Sequence, residues 1–185
     1  MITGVFQIDA IPKYFDLLKE VLPQAITFGY LVNATNPIHA REGRKVLDYA
    51  GRRLGINVEI IGVKEPSELA DAFDRMSARG VAGVAINPDP VLGSKAKMTA
   101  ELAQKRRLPT VGDDPSFLFA FANDYQVMAR RSASYVDQIL KGKGPGDLAM
   151  DQGKLFRLLV NLKTAKELGI TIPPSVFCRA DEVIE

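Results

Sequence analysis

This sequence predicts an α/β fold in which a parallel sheet is flanked by helices on both faces. Three observations predict it. Short apolar runs alternate with longer segments of helical period between Ile26 and Gly112, and Pro or Gly punctuates each change. The cycle occurs three times in all, so that three right-handed crossovers join strands that run parallel.

"ITFGYLVN" (26–33) reads as a buried strand, and the "ATNP" after it offers Thr35 or Asn36 as a helix cap and Pro37 for the first helical turn. A helix follows through "REGRKVLDYAGRRL", where Val46, Leu47, Tyr49, Ala50 and Leu54 form an apolar stripe and Gly55 supplies the stop. "NVEIIGV" (57–63) is the second strand and "EPSELADAFDRMSARG" (65–80) the second helix, again with Pro near the start and Gly at the end. "VAGVAIN" (81–87) leads through "PDPVLG" into a helix over "SKAKMTAELAQKRR" (94–107), and "LPTVG" (108–112) is a fourth short strand. Beyond it, "FLFAF" (117–121) offers a strand. "DYQVMARRSASYVDQILKG" (124–142) is an amphipathic helix with Val127, Met128, Ser132, Tyr135, Val136, Ile139 and Leu140 near one face. "KGKGPGD" (141–147) is a loop, "KLFRLLVN" (154–161) one more strand, and "LKTAKELG" (162–169) a short helix stopped by Gly169.

With 185 residues, 46% of them hydrophobic, the chain can bury a genuine core. Its 24 basic and 22 acidic side chains leave a net charge of +2, too balanced to favour a nucleic-acid partner. The basic cluster from Gln104 to Leu108 reads as a solvated helix end. A single cysteine, Cys178, excludes an internal disulfide or a cysteine metal cluster, and a single histidine, His39, leaves no zinc pair and no nucleophile–base–orienter set. No run approaches the roughly 20 apolar residues needed to cross a bilayer, and no basic region followed by an apolar run opens the chain. As written, the expectation is a soluble chain without an export signal, cytoplasmic if expressed in this form.

In an open parallel sheet, ligands bind beyond the carboxyl ends of the strands, where loops and helix N-termini converge. That rule selects the loops "NATN" (33–36), "KEP" (64–66), "NPDP" (87–90) and "GDDPSF" (112–117). None is a Gly-rich phosphate cradle, so no nucleotide cofactor is expected. Their composition suits a small polar or zwitterionic molecule. Thr35 and Asn36 are placed to hold a carboxylate on backbone N–H groups with their side chains adding donors, and Asn33 beside them is a further ligand-binding candidate. Asn87, Asp89, Asp113 and Asp114 offer polar groups, the aspartates as acceptors for an ammonium, and Phe117 is placed to close over an apolar side chain. Each also has a plainer role as cap or turn former. The "DD" pair follows the fourth strand, not the first as in phosphorelay receivers, and no hydroxyl has a base placed to activate it. Binding without catalysis, cofactor or metal is therefore the expectation.

"LVNATNP", "NPDPVL", "LPTVG" and above all "VNLKTAKELGITIPPSVFCRADEVIE" resemble the extracytoplasmic solute-binding proteins of ABC importers, in the branch that includes binders of tryptophan and tyrosine. The resemblance covers essentially all 185 residues. It implies a lobe of the type I periplasmic-binding-protein kind, flavodoxin-like in topology, in a clamshell that closes on an amino-acid-like solute and docks on an ABC permease. Residues 1–116 would be the second-lobe domain and 117–185 the hinge crossing and the segment that returns to the first lobe. "ITGV" resembles the point where relatives enter the second lobe, so the signal peptide and the N-terminal half of the first lobe are expected to be missing. Relatives often carry "Tyr-Gly-x-Asp" where this chain has Phe121, Ala122, Asn123 and Asp124, which puts that segment's contact with solute in question. With one wall of the cleft, weak binding of a free amino acid, or none, is expected. An exposed face at Val136, Ile139 and Leu140 would favour homodimers.

Two other readings compete. The same architecture serves intracellular effector-binding domains of repressors, where a helix-turn-helix would lie upstream. A small flavodoxin-like enzyme would need a cofactor or metal for its chemistry.

Overall fold

A computed structural model describes residues 10–37, 43, 45, 48–149 and 156–185. His39, Val46, Leu47 and the opening "ITGV" fall outside them.

Before the first predicted strand lies a helix that the alternation of strands and helices did not announce, α1 (Ile11–Val21). Pro12 sits in its first turn, and Ile11, Tyr14, Phe15, Leu17 and Leu18 recur at helical spacing on its buried face. The strands follow as β1 (Thr27–Asn33), β2 (Asn57–Val63), β3 (Val84–Ile86), β4 (Thr110–Gly112), β5 (Phe119–Asn123), β6 (Phe156–Asn161) and β7 (Glu182–Ile184). Between them lie α2 (Leu69–Ala78), α3 (Pro90–Gly93), α4 (Ala96–Lys105), α5 (Tyr125–Leu140), α6 (Leu162–Leu168) and α7 (Pro174–Phe177). The helix predicted through residues 41–54 ends in a π-helical turn, Ala50–Leu54, and Gly55 at φ +61° supplies its left-handed stop.

All seven strands form one sheet in the order β2-β1-β3-β4-β5-β6-β7. β1 to β5 are mutually parallel, as the crossovers require; β6 is antiparallel to β5, and β7 is parallel to β6. The predicted α/β sheet flanked by helices is present, with the one reversal falling after α5. Alternation along β1 sends Phe28, Tyr30 and Val32 into a core shared with α1, and Leu31 into a second core under α2 and α4.

Some boundaries differ from the prediction. The third strand begins at Val84 because the Val81 N–H still closes α2 on the Met76 carbonyl, at 3.1 Å. The fifth strand begins two residues later than the apolar run, because the Phe117 N–H bonds back to the Asp114 carbonyl at 3.1 Å and completes a turn. The Pro-Pro tail contains α7 and β7, and the Asp181 carboxylate ties this tail to β6 by accepting from Leu158 N–H at 2.8 Å. Along α5 no residue is buried: Val136 and Leu140 stand 55% and 81% exposed, and Ile139 is exposed beside them.

Candidate functional site

The parallel strands present their carboxyl ends at one rim, and the predicted residues occupy it in two groups. In the first, Asn33 at the end of β1 and Asp89 after β3 are both almost fully buried, and Asn33 Nδ2 donates to Asp89 Oδ1 at 3.0 Å. Asn33 Oδ1 accepts from both the backbone N–H (2.9 Å) and the hydroxyl (2.7 Å) of Thr35. Asp89 Oδ1 accepts from Val91 N–H at 2.9 Å, capping α3, while its Oδ2 lies 3.4 Å from Asn36 Nδ2. The Asn36 N–H bonds to the Asn33 carbonyl at 3.2 Å. These four residues satisfy one another. The backbone N–H groups expected to hold a carboxylate at Thr35 and Asn36 are already engaged, because Asn33 folds its own loop back onto them.

Asn87 follows β3 inside the rim, buried, with its Nδ2 donating to the Tyr30 hydroxyl. Its Oδ1 finds no hydrogen-bond partner among the described residues.

The second group surrounds the end of β4. Asp114 forms a turn, its Oδ1 accepting from Ser116 N–H at 2.8 Å. Phe117 does not stand over the rim as expected. It is 1% exposed and belongs to the core beneath α2 and α4, where an added Cβ on Gly112 would lie 2.7 Å from its ring. The ring takes the space that the missing glycine side chain leaves, and so turns inward.

Asp113, between them, lines a cavity of about 210 Å³ with Asn123, Asp124 and Arg157, over Ala120, Ala122 and Leu159. The cavity exists because β4 and β5 end here with small residues, while antiparallel β6 begins beside them. Burial raises the Asp113 carboxyl above its ordinary range, its own backbone N–H opposes that, and the neighbouring Asp114 charge adds to it. Tyr14 of α1 lies beneath, its hydroxyl donating to the Phe121 carbonyl at 3.0 Å; burial and then the Asp113 charge push its phenol upward. Asp124 caps α5 by accepting from Val127 N–H at 2.9 Å. Arg157 stands between two acids, its Nε 3.8 Å from Asp124 Oδ2 and its Nη2 3.1 Å from Glu182 Oε2.

Asn123, Asp124 and Arg157 were not among the predicted site residues. The signal for Arg157 was a charged residue inside the apolar run "FRLLVN", visible only as an oddity without its partner β7.

A larger and shallower depression, about 680 Å³, lies along β2 and α2, with Gly62, Lys64, Glu68 and Asp74 in its lining. Two of its acids are already engaged, Glu68 with the Lys64 N–H and Asp74 with Arg106, each at 2.7 Å. The smaller rim cavity, with its half-buried Asp113, has the more specific chemistry. No group of His, Cys, Asp and Glu among the described residues is arranged to hold a metal.

A family model described as ABC transporter substrate binding protein matches residues 1–184. The chain belongs to that family. A curated relative, the tyrosine-binding protein of Clostridioides difficile (strain R20291), is 20% identical over 176 residues, which are 91% of this chain and 50% of the relative. This family member thus spans about half the length of the curated relative it matches. Two solved structures share its fold. One is a conserved domain protein of Vibrio cholerae O1 biovar eltor str. N16961, with a TM-score of 0.79, 23% identity and coverage of 98% of this chain and 62% of that one. The other is an ABC domain in complex with L-Trp from Streptococcus pneumonia, with a TM-score of 0.78, 24% identity and coverage of 94% and 62%. The family is one of binding proteins that serve ABC transporters. No helix among the described residues is long and apolar enough to cross a membrane.

Proposed function

We propose that this chain supplies one wall of a cleft that binds a small solute, an amino acid, for an ABC importer and releases it unchanged. The observation that carries the reading is the rim cavity, where Asp113, Asp124 and Arg157 meet over small apolar side chains at the sheet edge where α/β proteins bind ligands. The binding of L-Trp and tyrosine by proteins of this fold and family supports the choice of solute class. In this reading the seven-stranded sheet, with β5 to β7 included, forms one lobe of the clamshell, the working location is extracytoplasmic, and a permease is the partner. The reading includes no catalytic step.

Because clamshell affinity comes from burying solute between two walls, the described wall alone binds weakly. Calorimetry with a panel of amino acids tests this: dissociation constants in the millimolar range are expected, on the order of 4 kcal/mol of binding free energy. Micromolar binding by the monomer contradicts the one-wall reading. The exposed face of α5 makes self-association at Val136, Ile139 and Leu140 part of the proposal. Light scattering on the same concentrated samples should show dimer, and monomer alone removes that part.

A further inference from the structure

We propose that the cavity between β4, β5 and β6 takes the ammonium end of a small amine, and that this wall does not require a carboxylate on the same molecule. The inference rests on the solute-binding reading above and widens its substrate class from amino acids to amines that carry no acid group.

Charge is the first argument. Two carboxylates, Asp113 and Asp124, and one guanidinium, Arg157, line the cavity, leaving it one net negative charge. The guanidinium charge is already balanced by two acids, Glu182 at 3.1 Å and Asp124 at 3.8 Å, so it adds little pull on a solute anion. Asp113, by contrast, makes no hydrogen bond or ion pair with another side chain among the described residues, although it is half-buried. A carboxylate withdrawn from water without a counter-ion is unfavourable, and a bound ammonium both supplies the charge and donates hydrogen bonds.

Shape and the rest of the rim agree. About 210 Å³ over the methyl groups of Ala120, Ala122 and Leu159 suits a short alkyl stem behind an ammonium. The donors that would hold a carboxylate on this wall, the N–H groups of Thr35 and Asn36, already donate to Asn33. A carboxylate approaching the rim meets acids in the cavity and engaged donors beside it.

The test is a titration of the full chain, followed by amide chemical shifts, with four matched compounds: L-leucine, 3-methylbutylamine, 4-methylpentanoate and N-acetyl-L-leucine. The first two should bind within about threefold of each other, and the two without an ammonium at least about tenfold more weakly. Asp113→Asn, checked for fold by circular dichroism, should weaken the amine about tenfold. Three results overturn the inference while leaving solute binding intact: the amine binding tenfold below leucine, 4-methylpentanoate matching leucine, or the amine indifferent to Asp113→Asn. Binding of none of the four overturns both this inference and the reading it rests on.

Discussion

Gly112→Ala probes how the fold aims Asp113. Gly112 is the last residue of β4, and Phe117 packs against its bare Cα. A methyl group there would lie 2.7 Å from both Phe117 Cδ2 and Cε2, about 0.7 Å inside the 3.4 Å at which ordinary van der Waals contact begins. Ile86 Cβ at 3.3 Å is a second tight contact for the same methyl. Phe117 is 1% exposed within the core, leaving its ring nowhere to rotate without displacing neighbours. Overpacking of this kind costs about 1–3 kcal/mol, and at about 2–4 °C per kcal/mol for a chain of this size the melting temperature should fall by roughly 2–12 °C. Thermal and urea melts followed by circular dichroism measure it. Phe117→Leu removes the ring, so the double variant should be less destabilised than the two single changes added together, by about 1 kcal/mol. Because Asp113 lies between Gly112 and the turn that Phe117 closes, Gly112→Ala should also weaken solute binding. Wild-type stability in Gly112→Ala, or strict additivity in the double variant, refutes the packing argument.

Asp89→Ala removes the acceptor for Asn33 Nδ2 and for Val91 N–H, both at buried or part-buried sites; a loss of about 2–3 kcal/mol is expected, read as a lower urea midpoint with an unchanged slope. Asp113→Asn has the opposite effect at neutral pH. Burial raises the folded-state carboxyl above its unfolded value, so the folded chain holds more protons between the two values and stability falls as pH rises through that window. The variant should therefore be more stable than wild type above the window, with the advantage disappearing below the unfolded carboxyl value of about 3.9. A wild type that is the more stable at pH 7 shows that Asp113 has a cationic partner after all.

The parallel core was legible because its strands are short, mostly apolar runs between turn residues, and buried β1 shows this best. The C-terminal strands were harder to place. β7 is three residues long and mostly exposed, and its pairing with β6, the Asp181–Leu158 bonds and the Arg157–Glu182 ion pair define it. α1 has clear helical spacing in "IPKYFDLLKEV", but it precedes the first strand and so lies outside the repeating unit that guided the reading. The rim was legible as a location, since the carboxyl-edge rule needs only the strand directions. Which polar residues stay available there was not. Asn33, Thr35, Asn36 and Asp89 look like donors and acceptors for a ligand until the 3.0 Å and 2.7 Å bonds among them are seen, and the first of these joins residues 56 apart along the chain. Phe117 misled for a related reason, since its inward turn is set by the absence of a side chain at Gly112.

The two sides of the rim therefore divide their work by how their polar groups are satisfied. Around β1 and β3 the loops bond to themselves, which fixes the backbone but leaves little for a solute to bind. Around β4, β5 and β6 the acids are held by the backbone: Asp113 is carried on a strand end and Asp124 is tied by its cap to α5, while Arg157 is shared with β7. A carboxylate placed this way keeps its charge available without being free to move, which is the condition for a preorganised binding group. It follows that substitutions on the β1–β3 side should change stability more than affinity. Those at Asp113 should reduce affinity while raising neutral-pH stability, a separation that loss of fold alone cannot produce.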